Sequence, residues 1–270
     1  MHLVVCVKQV PDATEVKVDP VKGTLVRQGV PSIANPYDMH ALEMALQLKD
    51  EHGAKITVLS MGPPQATDVI KRSISIGADD GRLLCDVAFA GSDTLATSYI
   101  LSQAIKEIEK TDPVDIVFAG KMAIDGDTAQ VGPGIATRLG YSLVTYCLGI
   151  DGIDTGRSVI KARRQLEGGC EVVEADLPVL ITVVKEANEV RYASLPDLIK
   201  SIRSDVTVWN KEFFELDIPQ CGLKGSPTQV KKIFPPPPKD VTPEIMNTGE
   251  TGLDEIANTV AEAVFKAGIL

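Results

Sequence analysis

Leu3-Val4-Val5-Cys6-Val7 opens the chain with an unbroken apolar run, and turn-forming residues follow it. A strand without polar alternation has to be covered on both faces, which is the situation in a parallel sheet between helices. Working outward, Ile56-Thr57-Val58-Leu59 is the next such run, with Met61-Gly62-Pro63-Pro64 as its exit turn. Leu83-Leu84-Cys85-Asp86-Val87-Ala88-Phe89 and Asp115-Ile116-Val117-Phe118-Ala119 predict a third and a fourth strand. Amphipathic stretches lie between them. Asp38 stands as a helix cap before Leu42, Ala45, Leu46 and Lys49, which recur at three- and four-residue spacing. A second helix runs from Gln65 to a terminating Gly77, and Ser92 or Asp93 opens a third that reaches Lys110. Strands and helices alternating at this rhythm predict a parallel sheet with right-handed crossovers.

Two regions break the rhythm. Val16-Lys17-Val18 and Thr24-Leu25-Val26, around Asp19-Pro20 and Gly23, predict a small surface hairpin. After Gly140, strand-like runs joined by Asp151-Gly152 and Gly168-Gly169 predict added antiparallel strands. Leu177-Pro178-Val179-Leu180-Ile181-Thr182-Val183-Val184 is the last strong apolar strand. From Arg203 onward aromatics and prolines dominate, and Pro235-Pro236-Pro237-Pro238 is stiff. A final helix carries Leu253, Ile256, Ala257, Val260 and Val264 on one face and starts with the capping-box spacing Thr251-Gly252-Leu253-Asp254. That stripe either folds back or docks on another chain. The expected fold class is therefore α/β: a Rossmann-like parallel sheet flanked by helices, with added antiparallel strands. Residues 1–203 form its core, and 204–270 a C-terminal extended arm ending in a helix.

Composition narrows the function. The 270 residues hold 27 Lys+Arg against 37 Asp+Glu, a net charge of −10, which argues against gripping nucleic acid phosphates. No apolar stretch approaches the roughly 18–20 residues of a membrane span. The N-terminus enters a strand without a basic segment or an Ala-x-Ala cleavage site, so a cytoplasmic protein of bacterial type is expected. Cys6, Cys85, Cys147, Cys170 and Cys221 form no CxxC pair, and three of them sit in apolar runs as small hydrophobes. His2, His40 and His52 have no metal spacing, and the latter two read as surface residues of one helix. Redox chemistry here has to come from a bound cofactor.

The strongest local signal is Gly120-Lys121-Met122-Ala123-Ile124-Asp125-Gly126-Asp127-Thr128-Ala129-Gln130-Val131-Gly132-Pro133-Gly134. It leaves the fourth strand and enters a helix, where ligands of open parallel sheets bind. Its glycines permit close approach and positive φ, and Thr128 and Gln130 bring polar groups to a helix N-terminus that favours phosphate. Asp125 and Asp127 would repel a bare phosphate, so they cap amides or bind ribose hydroxyls. The plainer alternative is an Asp-Gly turn followed by an N-cap. Cys6-Val7-Lys8-Gln9, Asn35-Pro36-Tyr37-Asp38 and Thr94-x-x-Thr97 flank the same sheet edge, although Ser or Thr near a helix start also serves simply as a cap. GxGxxG, GxxxxGK[ST] and GxSxG are all missing, so acyl or phosphoryl transfer has no support.

Taken together, Val5 to Val10, Asn35 to Asp38, Gly120 to Asp127 and Arg191-Tyr192-Ala193-Ser194-Leu195-Pro196 resemble the beta subunit of electron-transfer flavoproteins. The resemblance covers nearly the whole chain. It implies a nucleotide-binding core paired with an alpha subunit that holds an FAD. The implied nucleotide contacts are Cys6, Val7, Asn35, Pro36, Tyr37, Asp38, Met61, Thr94, Thr97, and the loop Gly120, Lys121, Met122, Ala123, Ile124, Asp125, Gly126, Asp127, Thr128, Ala129, Gln130 and Val131.

Within the family, Gly126 and its neighbours look like the nitrogen-fixation-related, electron-bifurcating branch, whose beta subunit binds FAD where the respiratory carriers bind structural AMP. That branch implies hydride from NADH. One electron then goes to ferredoxin or flavodoxin, and the other passes through the alpha-subunit FAD to an acyl-CoA or lactate-type flavin dehydrogenase. Two alternatives stand beside it: a single-electron carrier with AMP that feeds a quinone-reducing oxidoreductase, and a stand-alone nucleotide-binding module. The resemblance also makes Tyr192, Leu195 and Pro196 partner contacts, with Pro196 at N1 of a helix. Leu195 as a hydrophobic staple for that helix is the competing reading.

Overall fold

The structure, a computed structural model, describes residues 1–12, 17–18, 25–26, 31–231, 245–246 and 252–268. In chain order the elements are β1 (His2–Cys6), β2 (Gln9–Pro11), β3 (Lys17–Val18), β4 (Leu25–Val26), β5 (Ser32–Ala34), α1 (Pro36–His52), β6 (Lys55–Met61), α2 (Thr67–Ser75) and β7 (Asp80–Leu84). They continue with α3 (Thr94–Glu109), β8 (Ile116–Gly120), α4 (Val131–Leu139), β9 (Ser142–Asp154), β10 (Val159–Leu166), β11 (Gly169–Asp176), β12 (Val179–Val183), α5 (Leu195–Arg203), β13 (Thr207–Trp209) and α6 (Leu253–Lys266).

Among the described residues, nine strands form one sheet in the order β11-β10-β9-β12-β8-β1-β6-β7-β13. From β9 to β13 neighbours run parallel, and β9-β10-β11 are antiparallel, as the Gly- and Asp-rich turns predict. β3 and β4 pair as the expected hairpin, while its turn residues Asp19, Pro20 and Gly23 lie outside the described residues, as do Pro235 to Pro238.

The opening run explains the layering. Leu3, Val5 and Val7 join one core with Leu42, Leu46, Ile70 and Ile74 of α1 and α2. Val4 and Cys6 join the other, with Ile100 and Ile105 of α3 and Ile135 of α4. Each fully buried aliphatic side chain in such a strand contributes about 1.5–3 kcal/mol, so β1 anchors both layers.

Three expectations need correction. The third strand ends at Leu84 rather than Phe89, because the Asp86 carboxylate accepts the Ala88 N–H at 2.8 Å and turns the chain into a short 3-10 segment. The segment after Arg203 does not leave the core. Thr207–Trp209 adds β13 beside β7, Trp209 stacks on Phe213 at 4.5 Å, and the Asp217 N–H donates to the Tyr99 hydroxyl at 2.8 Å. Compact units accordingly divide at 233, as 1–233 and 234–270, rather than at 203. Within the second unit, α6 has Gly252 at its N-cap and no side-chain cap. Thr251 of the expected capping box lies outside the described residues. Leu253 and Val260 of the α6 stripe are exposed.

Trp209 is the only tryptophan and is buried, so its emission reports on the returning segment. It should red-shift with urea in the same transition as the far-ultraviolet circular dichroism. A separate, earlier fluorescence transition would show that residues after 203 fold apart from the core.

Candidate nucleotide-cofactor site

The ends of β1, β6, β8 and β12 lie side by side at the carboxyl edge of the sheet. Gly120 ends β8, and residues 121–130 carry the chain to α4. The N-terminus of α1 holds this loop.

Asn35 occupies the N-cap of α1 and is fully buried. Its N–H donates to the Lys8 carbonyl at 2.9 Å, its Nδ2 to the Met122 carbonyl at 2.9 Å, and its Oδ1 accepts the Ile124 N–H at 3.2 Å. Pro36 follows at N1, where a missing N–H costs nothing. Asp38 is thus not the cap. Its carboxylate, 7% exposed, accepts the Lys8 N–H at 2.8 Å and the Gly120 N–H at 3.1 Å, which ties the ends of β1 and β8 together. A Cβ on Gly120 would stand 2.4 Å from Asp38 Oδ1 and 2.6 Å from Tyr37 Cβ, so only glycine permits this approach. Burial pushes the Asp38 carboxyl up to about 7, against the pull of its hydrogen bonds. Burial, and then the nearby Asp38, pushes the Cys6 thiol up to about 12, which leaves Cys6 an inert packing group.

The loop itself is strained. The Ala123 carbonyl accepts the N–H groups of Gly126 and Asp127 at 3.2 and 2.9 Å. Positive φ falls on Asp127 (48°) and Ala129 (54°), not on the glycines to which the sequence assigned it. For a residue such as Ala129 this costs roughly 1–2 kcal/mol. Gln130 returns to −103°, so the two left-handed residues stand directly before the start of α4. α4 then begins at Val131 without a side-chain cap. Added Cβ atoms on Gly132 and Gly134 would lie 2.7 Å from Thr182 Cγ2 and 2.8 Å from Ser98, so these glycines seat α4 against β12 and α3. Gly126 is different: a Cβ there meets no protein atom within 4 Å, and its φ is not positive. Neither conformation nor packing requires that glycine.

The other expected contacts divide. The Thr94 hydroxyl donates to Gln130 Oε1 at 2.9 Å and so joins the starts of α3 and α4, with half-buried Thr97 one turn further on. The Asp93 carboxylate caps the N–H groups of Leu95 and Ala96 and receives the Thr228 hydroxyl at 2.7 Å; these bonds outweigh burial and hold its carboxyl below the ordinary range. Cys6 and Met61 face the α3–α4 side together with Ala119 and Val131. Val7 turns its side chain to the opposite core. Pro36 lines a cleft of about 560 Å³ on the α1–α2 flank, with Gln9, Ile33, Met39, Arg72 and Val190, away from the loop. Asp127 and Thr128 are exposed.

Asp125 is engaged by Lys8, whose Nζ lies 2.7 and 2.8 Å from its carboxylate oxygens. Lys8 was not among the expected contacts; the available signal was a cation directly after the first strand. Lys121 and Lys185 stand over the rings of Tyr146 and Tyr37 at 4.9 and 4.7 Å, and among the described residues neither has a carboxylate partner. His40 is no free surface residue, since its ring Nδ1 lies 3.0 Å from Asn188 Oδ1. Among the described residues, no group of His, Cys, Asp and Glu could hold a metal ion.

Left-handed residues at 127 and 129, an uncapped helix start and an open space at Gly126 thus lie together at the carboxyl edge of an α/β sheet, where ligands of open parallel sheets bind. Residues 22–212 match the electron transfer flavoprotein domain. The chain is 47% identical over 266 residues to Protein FixA of Azotobacter vinelandii, covering 98% of this chain and 95% of that one. It is likewise 47% identical over 266 residues to the electron transfer flavoprotein subunit beta of Clostridium acetobutylicum, covering 98% and 97%. It is 46% identical over 271 residues to the caffeyl-CoA reductase-Etf complex subunit CarD of Acetobacterium woodii, covering 100% of both. The chain belongs to the electron-transfer flavoprotein family, as a beta subunit of the branch that includes FixA.

The brace is testable through pH. In the fold Asp38 holds its proton more tightly than the ordinary 3.8, so the stability it confers is full below about pH 4 and is lost as the pH rises through 7. Asp38→Asn removes that slope and leaves one backbone N–H without an acceptor, at a cost of about 1–3 kcal/mol. Urea denaturation at about pH 5 and about pH 8 should show the gap between wild type and variant narrowing at the higher pH.

Proposed function

We propose that this chain is the FAD-binding beta subunit of a heterodimer with a flavin-bearing alpha subunit, and that the pair takes hydride from NADH and bifurcates its electrons. When bound, the FAD supplies the hydride acceptance and the separation of two electrons, one toward ferredoxin or flavodoxin and one through the alpha-subunit FAD toward a dehydrogenase. The chain's own residues bind and orient. The left-handed turns at 127 and 129 and the start of α4 receive the diphosphate, Thr94 and Gln130 set the spacing of the two helix starts, and Asn35 and Asp38 keep the loop in place.

The observation that carries the choice of FAD is the open space at Gly126, since nothing in the protein's own packing or conformation calls for glycine there. A flavin and its chain need room that AMP does not. The likeness to FixA and to a subunit named for a caffeyl-CoA reductase-Etf complex supports the same branch and a CoA-thioester dehydrogenase or reductase as partner. On this reading Tyr192 and Leu195, 93% and 70% exposed, are contacts for that partner, and Pro196 at N2 of α5 stiffens the helix start behind them. The exposure of Leu195 speaks against the staple reading.

Extraction of the purified heterodimer should release two flavins. Gly126→Asp should leave one, with the melting temperature of the cofactor-free protein unchanged, because the added side chain enters empty space. One flavin plus AMP in the wild type would make the chain a single-electron carrier instead.

A further inference from the structure

Asp38 and Glu43 are the two carboxylate residues buried among the described residues, and only the first serves the cofactor loop. Glu43 lies further along α1. It accepts the Arg191 N–H at 3.1 Å, Arg191 Nε at 2.9 Å and Arg191 Nη2 at 2.9 Å, and Nη2 also reaches Asp50 at 2.8 Å. Three residues earlier, Asn188 donates from Nδ2 to the His40 carbonyl at 3.0 Å and faces the His40 ring. His40, Glu43 and Asp50 share one stripe of α1 by helical spacing.

The chain is thus bolted at two points, 188 and 191, to a helix locked into the core. Directly beyond the second bolt it exposes Tyr192 and Leu195, and α5 continues the apolar surface with Leu198, Ile199 and Ile202. A buried ion pair is a poor device for stability, since apolar residues of similar volume do as well. What it supplies here is direction. Arginine's planar fork fixes the backbone from which the exposed residues depart.

We infer that the Glu43–Arg191–Asp50 clamp is a positioning device that orders the Tyr192–Leu195 tip before it meets the partner dehydrogenase. This rests on the reading of Tyr192 and Leu195 as partner contacts, and its test separates the two.

The holo-heterodimer is prepared as wild type, Glu43→Gln, Arg191→Lys and Leu195→Ala. Arg191→Lys keeps the buried charge paired and loses only the fork, so it serves even where Glu43→Gln folds poorly. Hydrogen exchange at the amides of 191–195 should quicken about tenfold in the first two variants, and KM for a short-chain acyl-CoA dehydrogenase should rise by about the same factor, the cost of ordering freed side chains on docking. kcat and flavin content should hold. Unchanged exchange overturns the inference. So does faster exchange with an unchanged KM while Leu195→Ala raises it. If Leu195→Ala itself leaves KM unchanged, the docking reading fails, and the exchange rates alone decide whether the clamp orders the tip.

Discussion

A carboxylate withdrawn from water and shared between two strand ends sets the geometry of this molecule's working edge. Asp38 accepts one N–H from Lys8, two residues past the end of β1, and another from Gly120, the last residue of β8. Within that brace the strands cannot splay at their carboxyl ends, and the loop leaving Gly120 starts from a fixed point. Asn35 extends the hold to Met122 and Ile124. In a low-dielectric surrounding these bonds are strong when made and expensive when broken, so the arrangement persists as a unit. Because α1 also carries Glu43, one buried helix serves as the reference for both the cofactor loop and the exposed tip after Arg191.

Much of the framework was legible because burial writes a local signal. Leu3 to Val7 feed two cores alternately, which requires an unbroken apolar run. The antiparallel extension announced itself through its turns. What stayed hidden depends on distant partners. Asn35 and Asp38 beside a proline look like any helix start, and their bonds to residues 8, 120, 122 and 124 leave no trace in spacing. β13 is three residues long, and its segment is held by aromatic stacking and by bonds to Asp86, Ser92 and Asp93 rather than by a strand-length apolar run. The left-handed turns at Asp127 and Ala129 were misassigned because sequence alone points to glycine for such conformations.

The glycines of the loop region therefore do different work. Gly120 admits a neighbouring helix, Gly132 and Gly134 admit a strand and a helix, and Gly126 admits nothing that belongs to the protein. The strain sits instead on residues that would relax if the surrounding braces let go. A loop shaped in advance by its braces lowers the ordering cost that binding otherwise carries.

The sheet ends in β11 on one side and β13 on the other, and both bear on edge-to-edge pairing. At one end β13 offers only three residues to a stray strand. At the other, β11 is eight residues long but carries Glu171, Glu174 and Asp176, with Arg164 and Arg157 neutralising the glutamates from within the same chain. Two copies approaching edge to edge would crowd those carboxylates together and compete with internal ion pairs for the same arginines. Charged residues on an edge strand are one of the devices by which sheets discourage edge-to-edge pairing, and β11 carries them along its length.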